Sequence, residues 1–127
     1  MCPINVEKIC QIHEQIIQLS ERSEDCGASV REIGTLEFLV NCALSVDNNP
    51  ETNAAIAMVQ IASRHPFDNG NKRTAFQVAD FILASDGFYL HADPEKTERV
   101  LIKIASYECD DEIEKVEKWI KKNMRYL

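Results

Sequence analysis

Residues 53–85 read NAAIAMVQIASRHPFDNGNKRTAFQVADFILAS. From Asn53 to Ala62 the residues are Ala, Ile, Met and Val on nearly every side. From about Lys72 to Ser85 the chain carries Ala75, Phe76, Val78, Ala79, Phe81, Ile82, Leu83 and Ala84, with Gln77 and Asp80 as its polar interior members. A helix that is apolar all round offers no face to water. Both segments are therefore predicted to be enclosed helices, the first opening at Pro50 behind an Asn cap and the second ending before Gly87.

Outward from this pair, the flanks keep helical spacing. Asn5 can cap a first helix over about Val6 to Ser23, with Ile9, Ile12, Ile16 and Leu19 on one face and Glu7, Glu14 and Glu21 facing out. A short helical piece is expected at Val30 to Ile33, then a second clear helix capped by Thr35 that carries Leu36, Leu39, Val40, Ala43 and Leu44. Phe88 to His91 reads as a short extended link to Asp93-Pro94, a cap followed by a helix-starting proline. Val100, Leu101, Ile104 and Ala105 give the next helix its buried stripe, and Ile113, Val116, Trp119 and Ile120 do so for a last helix over about Asp111 to Asn123. The expected fold is all-α, a compact bundle of about six helices around the buried central pair.

With 127 residues, 45% hydrophobic and 28% charged, the chain has room for one domain with its own core. Four Gly, four Pro and no low-complexity tract give no sign of a linker, so residues 1–127 are read as a single domain. A net charge of −7 disfavours nucleic acid as a partner, because such binders carry a basic face. The cluster Lys121, Lys122 and Arg125 reads as the solvated, dipole-matched end of the last helix. Five cysteines, Cys2, Cys10, Cys26, Cys42 and Cys109, contain no Cys-x-x-Cys and read as reduced thiols. No apolar run approaches the length of a signal core or a membrane span, and a cytoplasmic location away from membranes is expected.

The central loop, His65-Pro66-Phe67-Asp68-Asn69-Gly70-Asn71-Lys72-Arg73, is polar where packing alone asks for nothing polar. Pro66 ends the helix before it, Gly70 permits a tight turn, and Asn71 is placed to cap the helix after it. Lys72 and Arg73 then stand where the helix dipole is already positive, which costs about 0.3–1 kcal/mol each at an exposed site. A bound anion reverses that cost, so the turn, its N–H groups and the two cations form a candidate phosphate cradle. His65 beside it is a candidate general base. His13 and His91 lack metal-ligand spacing, His13 being read as a surface or packing residue. Trp119 is read as core, and no Walker sequence is present.

These residues resemble the signature of the Fic/Doc family, His-x-Phe-x-Asp/Glu-Gly-Asn-Gly/Lys-Arg, matched by His65, Phe67, Gly70, Asn71, Lys72 and Arg73. Ile12-His13-Glu14, Arg31-Glu32-Ile33-Gly34 and the helix order extend the resemblance, which is nearest to the death-on-curing (Doc) toxin type. Lys72 stands where AMP-transferring relatives have Gly, and Phe76 stands where they have a second Arg. The resemblance therefore implies transfer of a γ-phosphate from ATP or another nucleoside triphosphate to a Ser or Thr hydroxyl of a protein, for example a translation factor such as elongation factor Tu. It implies His65 as base, Gly70, Asn71, Lys72 and Arg73 as holders of the polyphosphate, and Phe67 as a core anchor.

Mg²⁺ is the implied metal, but the family's acidic ligand aligns with Asn69, and the carboxylate lies one residue earlier at Asp68. AMP transfer and a silent nucleotide- or partner-binding module are the alternatives. The link Val46 to Glu51 is short where the family often has a flap that docks its target. Ser20 to Asp25 comes near the family's inhibitory sequence and fails at the last position, so a separate Phd-like antitoxin is expected.

Overall fold

The computed structural model describes residues 4–105 and 112–127. The expectations at Asp111 and Cys109 lie outside the described residues, as do those at Cys2 and the side chain of Ala105. Among the described residues there are six α-helices: α1 Val6–Leu19, α2 Ile33–Phe38, α3 Pro50–Arg64, α4 Asn71–Ala84, α5 Pro94–Ala105 and α6 Glu112–Asn123. Two three-residue strands, β1 Phe88–Leu90 and β2 Met124–Tyr126, pair antiparallel with Leu90 opposite Met124. The architecture is the expected all-α bundle.

The central pair is the core. In α3 every residue from Asn53 to Ser63 except Ile56 is buried, and in α4 Ala75, Val78, Ala79, Ile82 and Leu83 are buried. α3 packs mainly on α4 and α6, while α1 lies across α4 and α5 leans on α3. Asn53, a polar residue in this apolar helix, is satisfied by the link before it. Its Oδ1 accepts from Ser45 N and Asn48 Nδ2, and its Nδ2 donates to Ser45 O at 2.7 Å. The short connection over residues 46–51 is thereby pinned to the core, as buried polar groups require.

Three boundaries differ from the sequence reading. α1 starts as expected, with Asn5 Oδ1 accepting from Lys8 N at 2.8 Å, but it ends at Leu19 and not near Ser23. Ser20 is extended and uses its hydroxyl to donate to Asp25, and residues Ser23–Asp25 form a single 3₁₀ turn. Serine gains more from that local side-chain bond than from one more helical turn.

Residues 30–32 are not helical either. Val30 forms a β-bridge to Phe67, and the N–H groups of Arg31 and Glu32 both donate to Pro66 O, at 2.8 and 3.0 Å. Thr35 lies inside α2 and not at its cap, and α2 runs straight into a π-helical turn, Leu39–Ala43.

The extended link at residues 88–91 was expected, but its partner was not. The chain turns back after α6 and β2 covers β1, with His91 N donating to Asn123 O at 2.7 Å. Asp80 of α4 accepts from Leu90 N at 3.0 Å, so the small sheet is fastened to the central helix. At the start of α5, the Asp93 side chain accepts from Glu95 N at 2.8 Å, the cap its sequence position predicts.

Candidate functional site

The loop between α3 and α4 is built by its own residues. Pro66 cannot continue α3, and His65, the C-cap, takes left-handed backbone angles, φ 51° and ψ 60°. A non-glycine residue there costs about 1 kcal/mol or more. The strain is held by Arg31, whose Nη2 donates to His65 O at 2.8 Å. Phe67 then dives into the core and is fully buried, the anchor that the family resemblance implied.

Asn71 requires a correction. Gly70, at φ +81°, is the N-cap of α4, and Asn71 is its first helical residue. The buried Asn71 side chain turns back to close the loop. Its Oδ1 accepts from Phe67 N and its Nδ2 donates to Phe67 O, each at 2.9 Å. Both of its amide groups are thus used inside the protein, and what Asn71 presents outward is its backbone N–H.

Around the loop lies a hollow of about 500 Å³ that brings together His65, Asp68, Asn69, Gly70, Lys72 and Arg73. No protein acceptor among the described residues takes the N–H groups of Gly70, Asn71, Lys72 and Arg73. These are the orphan donors of a helix start, directed at the same space as two cations. Arg22 and Arg31 add two more cations to the walls, while Glu24, Asp25 and Glu98 supply carboxylates.

One carboxylate bears directly on the cradle. Asp25, 2% exposed, holds Arg73 Nη2 at 2.9 Å and accepts the Ser20 hydroxyl. The Ser20 hydrogen bond, then Arg73, keep the Asp25 carboxyl below the usual carboxylate range. Arg73 thus already faces an anionic oxygen that belongs to the protein. Lys72 is half-buried and makes no ion pair among the described residues.

The two metal candidates line the same hollow, but each side chain is engaged by the protein. Asp68 is exposed and its Oδ2 accepts from Ser29 N and Oγ, at 3.1 and 3.3 Å. Asn69 donates its Nδ2 to Glu24 O at 2.6 Å. Among the described residues no group of three His, Cys, Asp or Glu could hold a metal ion. That donor set fits a cation carried mainly by phosphate oxygens and water, with Asp68 or Asn69 as one protein ligand.

Two features were not legible in the sequence. His13 of α1 is a packing residue, one of its two sequence readings, buried and stacked on Phe67, but that it also reaches the loop backbone was not read. A second hollow, about 530 Å³ and walled by Ile16, Leu19, Phe76, Pro94 and Leu101, shares Arg73, Glu98 and Leu101 with the first. His91 stays exposed beside Tyr89, outside both hollows. No helix among the described residues is long and apolar enough to cross a membrane.

The family model described as Fic/DOC family matches residues 3–83, which is more than half of the chain and takes in the whole loop. Among curated proteins, none matches the chain.

Proposed function

The chain belongs to the Fic/DOC family, and from that premise we propose that it transfers the terminal phosphate of a nucleoside triphosphate to a Ser or Thr hydroxyl of a protein. The observation that carries this reading is the convergence of His65, Lys72, Arg73 and the free N–H groups of α4 on one hollow. Phosphoryl transfer asks little covalent chemistry of a protein, only in-line placement and compensation of charge. Both are supplied by groups of this kind.

In the proposed reaction His65 accepts the proton of the target hydroxyl as its oxygen bonds to phosphorus, and the bond to the nucleoside diphosphate oxygen breaks. Lys72, Arg73 and the N–H groups from Gly70 to Arg73 hold the phosphate oxygens. Arg73 exchanges Asp25 for phosphate as the nucleotide enters. Mg²⁺ would neutralise the polyphosphate, with Asp68 or Asn69 as its protein ligand.

The apolar hollow beyond Arg73 suits the nucleoside, which would set the terminal phosphorus nearer His65. Phe76 supports this polarity over AMP transfer, since a phenyl ring offers nothing to a phosphate and a good face to a base.

As a Doc-like toxin the protein would be restrained by a separate Phd-like antitoxin and would act on a protein such as a translation factor. A second reading, a silent nucleotide-binding module, is favoured by Asn69, whose amide replaces the family's acid and is drawn away to Glu24.

Incubation with a cell extract and ATP labelled at the α or the γ position tests the proposal. Label retained on protein only from the γ position supports it, and retention from the α position means AMP transfer. Binding of ATP without either label supports the silent module. Loss of γ label in His65→Ala ties the transfer to this loop.

A further inference from the structure

The peptide joining Asn69 to Gly70 lies midway along the loop, and its two polar atoms meet different fates. Its carbonyl accepts a hydrogen bond from Nε2 of His13 at 2.9 Å. A trans peptide is planar, so its N–H points opposite to its C=O. With the carbonyl turned inward onto α1, the Gly70 N–H is turned outward, where Gly70 lines the hollow. No acceptor among the described residues takes that N–H.

Gly70 does not hold this orientation by itself, because glycine tolerates the angles on both sides of a peptide turnover. The hold comes from α1. The His13 ring lies flat on Phe67, with centroids 3.8 Å apart and planes within 7°. A Cβ at Gly70 would stand 3.6 Å from His13 Cδ2 and 3.2 Å from Ile17 Cδ1. One buried side chain, 56 positions from Asn69, thus holds residues 67 and 69 and stands beside Gly70, in the stretch between His65 and the first turn of α4. An apolar ring would satisfy the packing on Phe67, whereas only a donor at the Nε2 position holds the carbonyl.

We propose that His13 is a positioning residue: by fixing the Asn69 carbonyl it keeps the Gly70 N–H aimed into the hollow as a donor to the bound anion. The inference rests on the phosphate-binding reading of the hollow and adds the residue that orients its central donor.

Amide NMR with inorganic pyrophosphate as the probe tests it, on the wild type, His13→Phe, which keeps the ring without the donor, and His13→Gln, which restores a donor. In the wild type and His13→Gln the Gly70 amide moves on titration. In His13→Phe pyrophosphate binds about tenfold more weakly, the size of one lost charge-assisted hydrogen bond, and Gly70 stops responding while the thermal melt is retained. Unchanged affinity and an unchanged Gly70 response in His13→Phe would overturn the inference and leave His13 a packing residue. Wild-type shifts at Lys72 and Arg73 without one at Gly70 also overturn it, with phosphate binding intact and no need of the variants. No shift at any of these amides defeats the phosphate reading itself, and the inference with it.

Discussion

Asp25 and Arg73 set two demands on one guanidinium. The pair ties the turn after α1 to the start of α4, and on the proposed function the same pairing competes with an incoming phosphate for Arg73. Asp25→Asn is therefore expected to lower the melting temperature while strengthening pyrophosphate binding by about tenfold, roughly the worth of one charge-assisted hydrogen bond.

The pH dependence follows in sign. Because Ser20 and Arg73 hold the Asp25 carboxyl below its usual range, its stabilisation is complete above the ordinary carboxylate value. It is lost as pH falls through the lower folded value. Melting curves of wild type and Asp25→Asn are expected to differ by a constant amount near neutrality and to converge in acid below the usual carboxylate range. A gap that persists there would mean that the charge does not carry the tie. Lys72 makes the opposite demand: half-buried and unpaired among the described residues, it should change stability by under about 0.5 kcal/mol on Lys72→Ala, yet weaken pyrophosphate binding in the same titration.

At the scale of elements, the loop and its two helices are one unit, closed by Asn71. Asn71→Ala removes two buried hydrogen bonds to Phe67 and is expected to cost about 2–4 kcal/mol, measured by urea unfolding, with transfer lost as His65 is released. The enclosed character of α3 and α4 was legible in the sequence because two nearly all-apolar helices can only be central. The role of Asn71 was misread for a local reason. An Asn before a helix is usually its cap, but Gly70 can take φ +81° and moves the helix start by one residue.

The contacts that His13 and Asp25 make with the loop could not be read from spacing, although Ile12-His13-Glu14 belongs to the family resemblance. Each acts across a fold contact, 56 and 48 positions from its partner, and a lone His or a carboxylate in a polar turn carries no spacing signal. The β1–β2 ladder escaped for a similar cause, since three-residue strands show almost no alternation and their pairing spans residues 88–126.

Across the whole molecule, the chain's last residues reach the site through the small sheet. β2 covers β1, β1 is fixed to α4 through Asp80, and the three-residue link after β1 leads into α5, whose Glu98 and Leu101 wall both hollows. Deleting residues 124–127 leaves the α3–α4–α6 core in place but strips three cross-strand pairs, including the Phe88–Tyr126 ring contact. That loss is expected to be about 1–2 kcal/mol, read as a fall in melting temperature of roughly 4–8 °C for a chain of this size.

The functional consequence should be selective. The proposed phosphate cradle belongs to the loop and α4, whereas the apolar hollow depends on where α5 begins. The truncated protein is therefore expected to bind inorganic triphosphate as the full chain does and to lose the extra affinity for ATP. Equal loss for both ligands would place the nucleoside elsewhere. Retained preference for ATP would mean that α5 keeps its position without the sheet, held by its packing on α3 and α4.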